Sequence, residues 1–189
     1  MQIEERKPEV IIFAGPNGSG KSTITKLARV IEPYINADDI KRTTHCSDMD
    51  AALKAEELRE GAIANQSDFT FETVLSTDRN LELLKRAKVQ GYFIRCIYVL
   101  TDNPEINEIR VLARESHGGH GVPAEKIRSR YDKCLKYIPE LVEICDVMHI
   151  YDNSKEPFRI FKKRKSEHFY WENEFWDKVR IEKLTGRKL

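Results

Sequence analysis

The sequence predicts an α/β fold of three layers, α/β/α, with a mainly parallel central sheet and a helical, glycine-rich lid. Three observations lead to it. Val10–Ala14 and Tyr92–Leu100 are largely apolar runs, as in strands covered on both faces. Helical patterns alternate with such runs along the chain. Gly15-Pro16-Asn17-Gly18-Ser19-Gly20-Lys21-Ser22-Thr23 joins the first run to the first helical pattern and fits G-x-x-x-x-G-K-[ST] in full.

In order, Val10–Ala14 is the first strand and Lys21–Ile31 the first helix, ended by Pro33. Tyr34-Ile35-Asn36 is a short second strand, with Ala37-Asp38-Asp39-Ile40 at its carboxyl end, where ligands gather in open α/β sheets. Asp50–Asn65 reads as an amphipathic helix, with Leu53, Leu58 and Ile63 among charged residues. Phe69–Leu75 is strand-like and carries Glu72. A helix over Thr77–Gln90, with Leu81, Leu84 and Ala87 on one face, leads through Gly91 into the second clear core strand. Pro104 opens a helix to about Glu115. The stretch from Arg114 to Pro123 contains three glycines and reads as a mobile loop between helices. Pro123 starts a long helix, broken or kinked near Pro139. Val147–Tyr151 is the last apolar strand, with Asp152-Asn153-Ser154 at its carboxyl end, and Phe158–Lys162 reads as an edge strand.

From residue 155 to 189 the composition shifts to eleven Lys plus Arg against six Asp plus Glu. Trp171, Phe175 and Val179 are spaced i, i+4, i+8, which predicts a helix packing one face on the body. Over the whole chain 32 Lys plus Arg face 31 Asp plus Glu, a net charge of +1. That balance gives no global attraction to nucleic acid or to an anionic membrane. No apolar run approaches the roughly 20 residues of a spanning helix. Met1–Glu9 is charged and lacks the apolar core of a signal peptide, so a cytoplasmic location is expected. Cys46, Cys96, Cys134 and Cys145 show no C-x-x-C spacing and are expected to be reduced thiols rather than zinc ligands.

The glycine-rich stretch predicts a phosphate cradle. Gly15, Gly18 and Gly20 let the backbone bring its N–H groups close to an anion, at the positive end of the following helix. Lys21 would reach the β- and γ-phosphates and the Ser22 hydroxyl would bind Mg²⁺, so ATP or GTP is expected. Phosphoryl transfer then needs one carboxylate and some cations. Asp38 is assigned as the base, and Asp39 as helix cap or support. Glu72, inside an apolar strand, is explained by a substrate hydrogen bond, a Mg²⁺-water contact or a structural salt bridge. Arg110, Arg114, Arg128 and Arg130 flank the glycine loop as candidate lid cations, about two of them expected to be bystanders. His117 and His120 read as loop residues rather than metal ligands.

Taken together, these pieces resemble the zeta-toxin-like P-loop kinases, a UDP-N-acetylglucosamine kinase-like family related to the toxin half of epsilon–zeta toxin–antitoxin pairs. The matching stretches are residues 15–23, Asn-Ala-Asp-Asp-Ile at 36–40, Phe-Glu-Thr-Val-Leu-Ser at 71–76, Gly-Gly-His-Gly-Val-Pro at 118–123 with Ile127 and Arg130, and Tyr-Asp-Asn-Ser at 151–154. The resemblance implies a P-loop NTPase fold, with a kinase domain over residues 1–154. Residues 155–189 would be a strand-and-helix extension packed on that domain. It also implies ATP and Mg²⁺ as cofactors, and a small-molecule acceptor, first of all a UDP-sugar such as UDP-N-acetylglucosamine. On this analogy residues 15–23 hold the nucleotide, with Mg²⁺ on Ser22, and Lys21, Asp38, Arg114 and Arg130 are catalytic. Asp39, Glu72, Thr73 and His120 would meet the acceptor. An antitoxin is an expected partner by analogy alone; nucleic acid and membrane are not expected. The alternatives are a nucleotide or polynucleotide 5′-hydroxyl kinase and a non-catalytic, nucleotide-switched binding module.

Overall fold

A computed structural model describes residues 6–116 and 121–189. Among them, seven strands form one sheet in the order β2-β3-β1-β4-β5-β6-β7. The strands are β1 (Glu9–Ala14), β2 (Tyr34–Ile35), β3 (Phe69–Thr73), β4 (Phe93–Leu100), β5 (Val147–Asp152), β6 (Phe158–Arg164) and β7 (Glu167–Tyr170). The helices are α1 (Lys21–Thr25), α2 (Ala37–Thr44), α3 (Asp48–Ala64), α4 (Arg79–Val89), α5 (Pro104–Ser116), α6 (Ala124–Lys136), α7 (Ile138–Ile144) and α8 (Lys178–Thr185).

The first five strands pair in parallel, and β6 and β7 run antiparallel. The apolar runs explain this. Val10, Ile12 and Ala14 of β1 join the main core with residues of α3, α4, α7 and α8. Ile11 and Phe13, on the other face by strand alternation, are buried as well. A strand buried on both faces needs helical cover on both, which is the expected three-layer α/β fold. Among the described residues no helix is long and apolar enough to cross a membrane.

Several local expectations are corrected. The first helix ends at Thr25 rather than Ile31. The amides of Leu27 and Ala28 bond three residues back, to Ile24 and Thr25, which tightens and closes the turn. Leu27 is 85% exposed, so no packing draws the helix onward. In α3 the buried face is Ala51, Ala55, Ala62 and Ile63, whereas Leu53 and Leu58 are exposed. Small side chains there let the helix lie close to the sheet. The strand at residues 158–164 is not the edge, because β7 pairs outside it. No helix spans Trp171 to Val179: the Asn173 carboxamide accepts the Phe175 and Trp176 amides at 2.9 and 2.8 Å, forming a turn, and Asp177 caps α8. Trp176, Ile181 and Leu184 are the buried apolar residues here, and Val179 is 70% exposed. Finally, the cap of α2 is Asn36, whose Oδ1 accepts the Asp38 amide at 2.9 Å, and not Asp39.

Candidate functional site

The glycine-rich loop leaves the carboxyl end of β1 and is fixed by side chains from distant elements. Asn107 of α5 donates to the Asn17 carbonyl at 2.6 Å, and its own Oδ1 accepts from the Thr101 hydroxyl. Asn153, just past β5, donates to the Ser19 carbonyl at 2.8 Å. Gly15 has φ 141°, and a Cβ there would lie 2.0 Å from the Val99 carbonyl oxygen of β4. Gly20 has φ 91°, and a Cβ there would lie 2.2 Å from Asn153 Nδ2. Only glycine allows both this backbone and this approach.

Lys21 opens α1 and folds back under the loop, its Nζ donating to the carbonyls of Gly15 at 2.8 Å and Pro16 at 3.1 Å. An ammonium has three protons, so one donor remains for a ligand oxygen. Burial pushes the Lys21 pKa down; Glu72, Cys134 and Asp38 oppose this, and Arg114 reinforces it. The cradle thus fits a polyphosphate: a loop whose glycines let it pack tightly against Val99 and Asn153, and a buried cation held against it. The Ser22 hydroxyl lines the cavity beside this cation as an oxygen donor, which suits a hard ion such as Mg²⁺.

In front of the loop lies a cavity of about 490 Å³. Lys21, Ser22 and Thr23 form one wall, and Asn36 and Asp38 from the start of α2 another. Glu72 and Thr73 come from the end of β3, Arg59 from α3, Asn80 from α4, and Arg110 and Arg114 from α5. Glu72 accepts a hydrogen bond from the Tyr34 hydroxyl at 2.8 Å. Burial, and then Glu72 itself, raise the Tyr34 pKa, so the phenol stays protonated and keeps donating. Its partner is therefore a neutral phenol, and among the described residues no ion pair holds Glu72, which sets aside the salt-bridge explanation. Thr73 Oγ1 accepts from the Leu75 amide at 3.0 Å and Asn80 Nδ2 at 2.8 Å, tying the end of β3 to α4.

The remaining expected residues separate into groups. Asp39 forms an ion pair with Arg42 at 2.7 Å and is not among the residues lining the cavity. Arg130 of α6 reaches the loop, its Nη1 lying 3.4 Å from Asn17 Oδ1. Arg128 is exposed and paired with Glu108. Arg110 donates to the carbonyls of Asn153 and Ser154 at 2.8 and 3.2 Å. His117, Gly118, Gly119 and His120 lie outside the described residues.

Sequence reasoning missed Arg59, Asn80 and Asn107. Nothing in their local pattern marks them, since each is one polar residue on a charged helix. Asn153 was visible within Tyr-Asp-Asn-Ser, but its bond to the loop was not.

A family model described as zeta toxin matches residues 2–166. A protein of Haemophilus influenzae (strain Rd), described only as uncharacterised, is 31% identical over 129 residues, which is 65% of this chain and 92% of its own length. Among solved structures, one from the PezAT chromosomal toxin–antitoxin system of Streptococcus pneumoniae has a TM-score of 0.59 at 17% identity, covering 82% of this chain and 72% of its own. The AvrRxo1-ORF1:-ORF2 complex with ATP has a TM-score of 0.71 at 14% identity, covering 96% of this chain and 64% of its own. At such identities the two structures show a shared fold.

Proposed function

The chain belongs to the zeta toxin family of P-loop kinases, and on that premise we propose that this ATP-dependent kinase phosphorylates a hydroxyl of a small molecule, with UDP-N-acetylglucosamine the first acceptor to try. The observation that carries the proposal is that Lys21, Ser22, Asp38, Glu72 and Arg114 line one cavity. A buried lysine, two carboxylates and a further cation there supply the parts that phosphoryl transfer needs.

In the proposed mechanism the loop amides and Lys21 hold the β- and γ-phosphates. The Ser22 hydroxyl would hold Mg²⁺, which would supply neutralisation of phosphate charge. Asp38 accepts the proton of the acceptor hydroxyl as its oxygen bonds to the γ-phosphorus and the bond to the β–γ bridging oxygen breaks, releasing ADP. Glu72, kept in place by Tyr34, accepts a hydrogen bond from the acceptor and orients it. Arg114 and Arg130 offset charge on the transferring group. PezAT is described as a toxin–antitoxin system, and by that analogy an antitoxin is the protein partner to seek.

The test incubates the purified protein with ATP and Mg²⁺, with and without UDP-N-acetylglucosamine, and weighs the products. A sugar nucleotide heavier by one phosphoryl group is the expected outcome. ATP binding with no transfer to this or any other sugar, nucleotide or small alcohol would overturn the kinase mechanism.

A further inference from the structure

The kinase mechanism leaves the basic, aromatic stretch after residue 155 without a role. Strand register sets its side chains in rows on the sheet face opposite the main core. His149 of β5 faces Lys162 of β6, which in turn faces Phe169 of β7. In the next row Tyr151 faces Arg159, and the Trp171 amide extends the ladder by donating to the Ile160 carbonyl at 3.0 Å. A register shift beside Tyr151 lets Ile160 and Phe161 both enter the core, which leaves Arg159 and Lys162 together on the opposite face. On β1 this face is sealed, Ile11 and Phe13 being 2% and 0% exposed. At the β7 end it is open, with Phe169 43% and Trp171 37% exposed.

Each cation in the two rows lies on a ring. The Arg159 guanidinium carbon is 4.5 Å from the centre of the Trp171 ring, and Lys162 Nζ is 5.6 Å from that of Phe169. His149 and Tyr151 stack with 6.3 Å between centres and 10° between planes. Two carboxylates share this face by strand alternation: Glu9 pairs with Arg95 at 2.9 Å, and Glu167 stands opposite Arg164 in the ladder. Among the described residues no carboxylate pairs with Arg159 or Lys162, and Arg159 Nε is buried without a hydrogen-bond partner. Burial, and then Arg159, Lys162 and Arg95, push the His149 pKa down to about 4, so its ring is neutral at ordinary pH and every charge acting on it is positive. The near balance of charge over the whole chain therefore conceals a local excess of cations among exposed rings.

That chemistry selects a ligand. Unpaired bases stack on aromatic rings and guanidinium planes, and the phosphates between them meet cations. A duplex hides its bases, and an acidic peptide would meet the cations alone. The two rows hold rings and cations but no aliphatic side chain to bury in a lipid surface.

We propose that this sheet face binds a single-stranded nucleic acid, with bases stacked on Phe169, Trp171 and the His149–Tyr151 pair and phosphates on Arg159 and Lys162. None of these six residues lines the phosphate cavity, so this site and the kinase site stand or fall separately.

The test titrates the full chain with a fluorescent twelve-nucleotide single-stranded RNA across a series of salt concentrations. Saturating Mg²⁺ and a non-hydrolysable ATP analogue keep the phosphate loop filled. Binding is expected, with log K falling against log salt at a slope of about −1.4, from two phosphates at about −0.7 each. Lys162→Gln should reduce the slope to about −0.7, and Trp171→Leu should weaken binding about tenfold at unchanged slope. Neither variant should alter affinity for the ATP analogue. Thermal midpoints separate a lost contact from a lost fold, and binding to the unaltered protein needs no variant at all. The same RNA annealed to its complement should bind more weakly, and a glutamate dodecapeptide and vesicles of phosphatidylserine and phosphatidylcholine should not bind. Absence of RNA binding, or binding that ignores both substitutions in folded variants, would overturn the inference; so would equal binding of the duplex, the peptide or the vesicles.

Discussion

Asp38 stands in the first turn of α2 with its backbone amide already held by Asn36, so its carboxylate can be neutralised without disturbing the turn. On the proposed mechanism Asp38→Asn lowers kcat by about 10²- to 10⁴-fold and leaves nucleotide affinity unchanged; single-turnover kinetics beside a binding titration separate the two. Lys21→Ala acts differently, because Lys21 lies among the loop carbonyls: it should weaken nucleotide binding as well as transfer. At Gly20 the backbone is the issue. Gly20→Ala puts a Cβ against the Asn153 carboxamide at a left-handed φ, and should cost about 1–3 kcal/mol, read as a lower thermal midpoint. Lys21, Ser22 and Asp38 were legible because the chemistry there requires particular residue types at a fixed spacing along the chain. Arg59 was not. What brings it to the cavity is the way α3 packs beside β3, with its guanidinium over the Phe71 ring, an arrangement that no local pattern announces.

Strands were read more easily than helix ends. Runs such as Val10–Ala14 signal themselves through composition, whereas the end of α1 depends on whether Leu27 finds something to pack against. The C-terminal aromatics misled for a related reason: their spacing suits a helix, but Asn173 and Asp177 take backbone amides and fold the segment as a turn followed by a capped helix. At the sheet's antiparallel end, His149 of β5 stacks on Tyr151, and its Nδ1 lies 3.5 Å from Arg159 Nη1, a contact that a neutral ring can accept. Burial, and then Arg159, Lys162 and Arg95, push its pKa from the ordinary 6.5 down to about 4. Between these values the unfolded chain takes up a proton that the folded one refuses, so stability falls as pH drops from about 6.5 to about 4 and is unaffected above that window. With solvent screening allowed for, this site contributes about 1 kcal/mol of that loss. Urea titrations across the window should show a shallower decline for His149→Gln than for the unaltered protein.

At the scale of the whole molecule, the alternation of apolar runs and helical patterns announced the parallel sheet, but the order of its strands was not legible in any local pattern. That order matters to the site. With β3 on one side of β1 and β4 on the other, Asp38 and Glu72 approach the glycine-rich loop from one flank, and α5 and α6 bring their arginines from the opposite flank. The loop itself is clasped from afar by Asn107 and Asn153. Removing either carboxamide strands a backbone carbonyl, so Asn107→Ala and Asn153→Ala should each weaken nucleotide binding by about tenfold, measured with the Mg²⁺ salt of an ATP analogue. Those two clasps join positions 90 and 134 residues apart. During synthesis the loop's own residues leave the ribosome near the start, yet the second clasp cannot close until Asn153 has followed. A nascent chain halted before that point could form local helices and even pair early strands, but the Ser19 carbonyl would still lack its Asn153 partner, so the cradle reaches its full grip on a nucleotide only after β5 has been made.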